Sequence, residues 1–238
     1  MPKKCLIAIP VYNEEESLEN LINELRQVCK NNDKYNFSFV FINDGSTDKS
    51  ESILLSNEVN YISNVVNLGI GGGIQSGYKY ASENDFDIFI QVDGDGQHPP
   101  EEIPKLLQAS EINSEDWIIG SRFISDSDYS PPFFRKLGML YSTFMLFLTT
   151  GLVIKDTTSG FRLAKKNLIK YLVRDYPQQE DGLISLFIIA KAGFTVKETP
   201  IKIIERKHGE SGIGFIRSVF YPFKILINIL AVLLRKPL

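Results

Sequence analysis

In the stretch Gln91–Glu102, QVDGDGQHPPEE, two aspartates and a glutamine stand at every second position, directly after the apolar run FDIFI. Alternate residues of an extended chain share a face, so Asp93, Asp95 and Gln97 would present their oxygens together. Gly94 and Gly96 between them leave room for a ligand to approach the backbone. Carboxylate and amide oxygens are hard donors. Mg²⁺ or Mn²⁺ takes such a partial shell, completed by water and the phosphates of a substrate. A polar turn before a helix opened by Pro99 and Pro100 is the competing reading of the same residues. Zinc is not indicated, because the two histidines, His98 and His208, have no cysteine neighbours.

The elements around this stretch decide between the two readings. CLIAIPV reads as a strand, and Leu18, Leu21, Ile22, Leu25 and Val28 form a helical stripe behind it. FSFVFI is a second strand, followed by the turn NDGSTDKS; YISNVV is a third, GGGIQSGYKYA opens a helix, and FDIFIQV is the fourth. Strands alternating with helices predict an α/β fold: a mostly parallel, Rossmann-like sheet flanked by helices. Ligands of such sheets bind outside the carboxyl ends of the strands. YNEE, NDGS and DGDGQ all fall at strand ends, so they should converge on one rim.

The second half reads differently. Leu137–Ile154 carries no charge over eighteen residues and is flanked by Arg135, Lys136 and Lys155. Its Leu137, Leu140, Phe144, Phe147 and Leu148 recur at helical spacing among serines, threonines and glycines, which predicts an amphipathic interfacial helix rather than a spanning one. The closing FIRSVFYPFKILINILAVLLRKPL is apolar too, but is broken by Arg217, Pro222, Lys224 and Asn228, and its final Arg235 and Lys236 suit an anionic lipid surface. Core packing is the alternative for both.

With 238 residues, 43% hydrophobic and 23% charged, the chain is of ordinary soluble composition and long enough for one cored domain. Residues 1–212 are expected to form that domain, and 213–238 a membrane-associating appendage. The net charge of −3 divides unevenly. Up to Gly120 there are 8 Lys/Arg against 20 Asp/Glu, and from Ser121 onward 18 against 9. An acidic half suits a metal site, and a basic half suits phosphates or a membrane surface. The basic residues are scattered and no nucleic-acid module is present, so no nucleic acid is expected. Cys5 and Cys29 lack metal-ligand spacing and read as free thiols of a reducing compartment. CLIAIPV runs straight into YNEEE with no cleavage site of small residues, so a signal peptide is not expected.

The glycine cluster NLGIGGGIQSG is not a cofactor motif. From Gly69 the third glycine of G-x-G-x-x-G would fall at Ile74, and Tyr78 stands where a P-loop needs lysine. Seven motifs instead stand in the order found in one known family: IPVYNEE (Ile9–Glu15), NDGSTD (Asn43–Asp48), NLGIGGG (Asn67–Gly73), DGDGQHPPE (Asp93–Glu101), GSR (Gly120–Arg122), DTTSGFR (Asp156–Arg162) and RKHGES (Arg206–Ser211). Together they resemble family 2 glycosyltransferases, most of all the dolichol-phosphate mannose synthase and bacterial polyprenyl-phosphate glycosyltransferase branch. The resemblance implies a GT-A fold, a UDP-glucose- or GDP-mannose-type nucleotide-sugar donor, Mg²⁺ or Mn²⁺, inversion at the sugar carbon and a polyprenyl or dolichyl phosphate acceptor.

Carried over by position, the resemblance places Pro10, Tyr12 and Glu14 at the nucleoside and Ile42 and Asp44 at the base. Asp93 and Gly94 follow the ribose and diphosphate, with Asp93, Asp95 and Gln97 at the metal. Arg122 and Arg206 clamp phosphates of the donor or the acceptor, and Asp156 lies near the reacting sugar. Apart from the resemblance, Arg122, Arg135 and Lys136 stand just ahead of the uncharged Leu137–Ile154 stretch, a place for a phosphate at a lipid–water boundary, so Arg122, Arg135 and Ser142 are the acceptor-phosphate candidates. Asp95, Asp156 and Arg122 are thereby the catalytic candidates. Asn43 replaces the first of two usual aspartates, and Gly212 stands where many mannose synthases have lysine. A carboxylate at Asp44 suits uracil and guanine alike. Helix or turn capping by Asp44 and Asp156, and a structural Arg162 paired with an acidic residue, are the plainer readings.

A phosphate monoester, with a second pKa of about 6, is largely ionised at neutral pH and needs positive groups rather than a base. A soluble saccharide or protein acceptor would need one, with Glu180 or Asp181 in place for it. A non-catalytic nucleotide-sugar-binding scaffold is the alternative from another class. The expected setting is the cytoplasmic face of the membrane, peripherally bound, with a homo-oligomer or a membrane partner subunit as further options.

Overall fold

The structure, a computed structural model, describes residues 2–30, 32, 34–124, 133–174, 176, 182–204, 227, 229 and 232, the side chains of 133–135 excepted. Its first half follows the expected alternation: β1 (Lys3–Val11), α1 (Leu18–Lys30), β2 (Tyr35–Asn43), α2 (Ser50–Ser56), β3 (Tyr61–Ser63), α3 (Gly69–Glu83) and β4 (Ile88–Gln91). There follow α4 (Ile103–Ile112), β5 (Trp117–Ser121), α5 (Phe133–Thr150), β6 (Arg162–Lys165), α6 (Lys166–Arg174), α7 (Gly182–Lys191) and β7 (Val196–Pro200).

The seven strands form one sheet in the order β3-β2-β1-β4-β6-β5-β7. All pairings are parallel except those of β6, which runs antiparallel to both β4 and β5. Helices cover both faces, so β1 is apolar on alternate and intervening positions alike. Cys5, Ile7 and Ile9 pack with Leu18, Leu21, Ile22 and Leu25 of α1 and with α4. Leu6 and Ala8 face Tyr78 of α3 and Leu168 and Leu172 of α6. The glycines of α3 have a packing reason: a Cβ on Gly77 would lie 3.0 Å from Ile42 and 3.3 Å from Ala8, so the helix sits directly on the sheet. Burial also explains the cysteines. Desolvation pushes the Cys29 thiol up to about 11 and that of Cys5 higher still, which keeps both as inert thiols.

Two elements differ from expectation. YISNVV pairs with β2 only through Tyr61–Ser63, the length at which β2 offers partners, and Val65 and Val66 are left in an exposed loop. The helix that holds the uncharged run begins at Phe133 rather than Leu137, taking in Arg135 and Lys136, and stops at Thr150, where Gly151 takes a φ of +75° and donates its N–H to the Phe147 carbonyl. No helix among the described residues is long and apolar enough to cross a membrane. The closing appendage at 213–238 lies outside the described residues, apart from Ile227, Ile229 and Val232.

Candidate active site

The loops after β1 and β2 lie side by side and are stitched together. Asn13, at φ +55°, donates its N–H to Ser46 Oγ (3.1 Å), and its Oδ1 accepts from Thr47 N (2.8 Å). Glu14 N bonds Ser50 Oγ (3.0 Å), Glu15 N bonds Asp48 Oδ2 (3.1 Å), and Glu15 Oε2 accepts from Lys49 N (2.8 Å). Burial alone would raise the Asp48 carboxyl, but hydrogen bonds from Ser50 and the Glu15 N–H outweigh it and hold the group below its ordinary value. None of these loop contacts followed from the motif positions. Positive φ at Asn13 is tolerated by asparagine, which is the trace such a contact leaves in sequence.

Asp44 stands at the end of β2, only 4% exposed. Its Oδ1 accepts two hydrogen bonds, from Asn64 Nδ2 (2.8 Å) and Leu68 N (3.0 Å), while Oδ2 has no partner among the described residues. It caps no helix; the N–H of Ser50, which opens α2, bonds Asp48 instead. Gly45, at φ +69°, lets the 64–68 loop come close, since a Cβ there would lie 2.9 Å from the Asn67 nitrogen and the Val66 carbonyl carbon. Asn43 has its own reason to be an amide: Nδ2 donates to Ser63 Oγ (3.0 Å) and Oδ1 accepts from Ser46 N (3.1 Å). Tyr12 is 47% exposed beside this loop pair, whereas Ile42 is fully buried in the core, between β1 and β3 in the sheet, and offers no surface to the rim.

The acidic stretch is a turn, not an extended segment. β4 ends at Gln91, the chain turns at Gly94–Asp95, and Gly96 takes a φ of +74°, so the alternation argument for one shared face does not apply. Asp93 Oδ1 accepts from Gln91 Nε2 (3.3 Å), and Oδ2 lies 3.4 Å from Nδ1 of buried His98, which stacks on Phe161. Asp95 Oδ1 takes the N–H of Gln97 (3.0 Å), and its side chain lines a recess of about 190 Å³ with Asn13–Ser17 and Asp48. Ser17 Oγ donates to Gly94 O (2.6 Å), and a Cβ on Gly94 would lie 2.7 Å from Pro10 O, so this turn lies directly against the β1 loop. Among the described residues no three His, Cys, Asp or Glu side chains group closely enough to hold a metal ion alone. Two hard carboxylates nevertheless fit Mg²⁺ or Mn²⁺, which keep waters and substrate phosphates in their shells.

The other side of the cleft comes from the second half. A Cβ on Gly160 would lie 2.4 Å from Asp93 Oδ2, so DTTSGFR packs against the acidic turn. Asp156 is fully buried and paired with Arg122 through Nε–Oδ2 (2.7 Å) and Nη2–Oδ1 (2.6 Å), and also accepts the Arg122 N–H (3.1 Å). Glu198 of β7, absent from every motif, accepts the N–H groups of Lys155 and Asp156 at 2.8 Å each. Arg162 is the structural residue of this side. Buried, it bonds the carbonyls of Ser159 (2.6 Å) and Thr157 (3.3 Å) and lies over the Trp117 ring. Ser142 is buried on the inner side of α5, its hydroxyl without a partner among the described residues, rather than presented at the surface. Arg206, Lys207, His208, Gly212, Glu180 and Asp181 lie outside the described residues, as does the side chain of Arg135.

Residues 6–173 match the model of Glycosyl transferase family 2. The chain belongs to this family. The family 2 chain is 29% identical over 256 residues to a UDP-N-acetylglucosamine–dolichyl-phosphate N-acetylglucosaminyltransferase of Methanococcus voltae, covering 99% of this chain and 98% of that one. It is 30% identical over 221 residues to an undecaprenyl-phosphate mannosyltransferase of Micrococcus luteus, covering 87% and 86%. Among solved structures it resembles glucosyl-3-phosphoglycerate synthase of Mycobacterium tuberculosis in complex with Mn²⁺ and UDP-glucose. The TM-score is 0.70 at 14% identity, over 97% of this chain and 79% of that one, a likeness of fold. The family 2 enzyme is thus a glycosyltransferase of GT-A architecture.

Proposed function

We propose that this glycosyltransferase moves a sugar from a nucleoside-diphosphate donor to a polyprenyl or dolichyl phosphate at a membrane surface. The observation that carries the acceptor class is α5. Leu137, Leu140, Phe144, Phe147 and Leu148 form one helical stripe, each between 48% and 65% exposed, while Ser142 and Leu146 face inward. An apolar stripe on a helix that follows β5 and Arg122, with Lys136 exposed in its first turn, fits a lipid–water boundary. The two relatives described above are named for transfer to dolichyl phosphate and undecaprenyl phosphate, which supports the same class.

The chemistry follows from the two sides of the cleft. Tyr12, Glu14 and Asp44 hold the nucleoside, and Asp93 and Asp95 face the diphosphate. When bound, a divalent cation neutralises charge on the leaving diphosphate, with Asp93 and Asp95 as its protein oxygens and Gln97 beside them. Asp156 is a positioning residue: its bidentate pair fixes the Arg122 guanidinium, which orients an acceptor phosphate already ionised at neutral pH. The site of action in this reading is the cytoplasmic membrane face.

A transfer assay tests it. Purified protein, MnCl₂ and a short-chain polyprenyl phosphate are mixed with UDP-glucose, UDP-N-acetylglucosamine or GDP-mannose, with Asp95→Asn as the blank. Label extracted into organic solvent with one donor, and absent in the blank, is the expected result. Donor turnover with soluble acceptors but none with the lipid would reject the acceptor class.

A further inference from the structure

The base pocket is asymmetric in a way the sequence does not show. Both in-plane lone pairs of Asp44 Oδ1 are used, by Asn64 Nδ2 at 2.8 Å and by Leu68 N at 3.0 Å. Oδ2 remains for a ligand, and the second hydrogen of the Asn64 amide has no partner among the described residues. The loop that supplies both donors is held in place on Gly45. The pattern left without a partner among the described residues is therefore one acceptor, Oδ2, and one donor, the remaining hydrogen of the Asn64 amide bound to the neighbouring oxygen.

We infer that this site selects a uracil base over guanine, and hence a uridine-diphosphate donor. The inference rests on the donor reading above and sharpens it. Uracil presents a single N–H flanked by carbonyls, so its N–H meets Oδ2 and an adjacent carbonyl can accept from Asn64. Guanine presents two neighbouring N–H donors, whose strong partner is a carboxylate with both oxygens open. Here the second donor would meet an oxygen already filled and the N–H groups that fill it. Leaving a ligand donor unpaired in a buried site costs about tenfold or more in affinity. Cytosine is disfavoured more simply, because its ring nitrogen at that position is an acceptor facing a carboxylate.

The experiment is calorimetric titration of the protein with UDP, GDP and CDP in MnCl₂. The expected result is UDP binding at least ~10-fold tighter than either competitor, the margin that one unpaired donor sets. In Asp44→Asn, which is isosteric, the amide replaces the acceptor by a donor and the UDP-over-CDP preference inverts. In Asn64→Ala, Oδ1 regains a lone pair and the UDP-to-GDP ratio contracts. GDP binding as tightly as UDP in the wild type overturns the base assignment but leaves the transferase reading standing. Binding of none of the three overturns both. An unchanged UDP-to-CDP ratio in Asp44→Asn removes Asp44 from the base site, and an unchanged UDP-to-GDP ratio in Asn64→Ala removes Asn64 from selection.

Discussion

On the β1–β2 side of the cleft, five hydrogen bonds between backbone N–H groups and side chains join two neighbouring loops, and no single one dominates. On the β5–β6 side, one fully buried carboxylate holds one guanidinium, and a second carboxylate, Glu198, holds the backbone beneath it. The first arrangement spreads its strength over many replaceable contacts. The second concentrates it in a pair whose members cannot be removed separately. In the proposed reading, the donor would meet a stiff, redundant rim, while the acceptor would meet one oriented cation and an apolar helix face.

The largest effect should fall on the concentrated side. Arg122→Ala leaves Asp156 buried without its partner, which costs about 3–5 kcal/mol of stability. Chemical denaturation reads it as a lower midpoint at unchanged slope; a loss under about 1 kcal/mol would mean that the pair is not what holds this side. Next comes the helix face. Phe144→Glu with Phe147→Glu removes two side chains worth about 1.5 kcal/mol each, so partitioning onto anionic vesicles should fall about a hundredfold. Unchanged vesicle binding would separate α5 from the membrane.

Smaller changes probe the distributed side. Asn13→Ala removes the acceptor for Thr47 N and leaves at φ +55° a residue without the local side-chain hydrogen bond that suits asparagine to that region, an expected cost of about 1–2 kcal/mol. Asn13→Gly should recover the backbone part. If Asn13→Ala costs as much as Arg122→Ala, the contrast between the sides fails. The smallest effect is pH-dependent. The Asp48 carboxyl is held below its ordinary value of 3.8, so its contribution is complete above that value and is lost as pH falls through the depressed native value. Asp48→Asn should flatten that acidic limb of the stability profile and leave the curve above pH 5 parallel to wild type.

Much of this was legible in sequence. Leu18, Leu21, Ile22 and Leu25 announced α1, the motif order announced the family, and Asp44 and Asp95 stand at the strand ends expected of them. What escaped is non-local. The insertion of a reversed β6 between β4 and β5 depends on which edges are open after the first half folds. Nothing local marks Asn64 as the partner of Asp44, because a single asparagine in YISNVV is equally a strand end. The Asp93–Gln97 stretch was misread as extended because period two was applied past the end of the ladder at Gln91, where Gly94 and Gly96 permit a turn. The pairing of Asp156 with Arg122 joins two motifs expected to act on different groups.

The reversed strand also sets how long β4 waits for its second neighbour during synthesis. β4 leaves the ribosome with one side paired to β1 and the other open, and its partner on that side, β6, begins about seventy residues later, at Arg162. At the usual rate of synthesis that interval is on the order of 4–14 s. For that time Ile88–Gln91, an apolar strand with a bare edge, is a template for pairing with another chain. The acidic turn that follows β4 has no Gly160 backbone to rest against until the same moment. Through that interval the nascent chain carries an unpaired apolar edge, and a chaperone that shields β4 would act there.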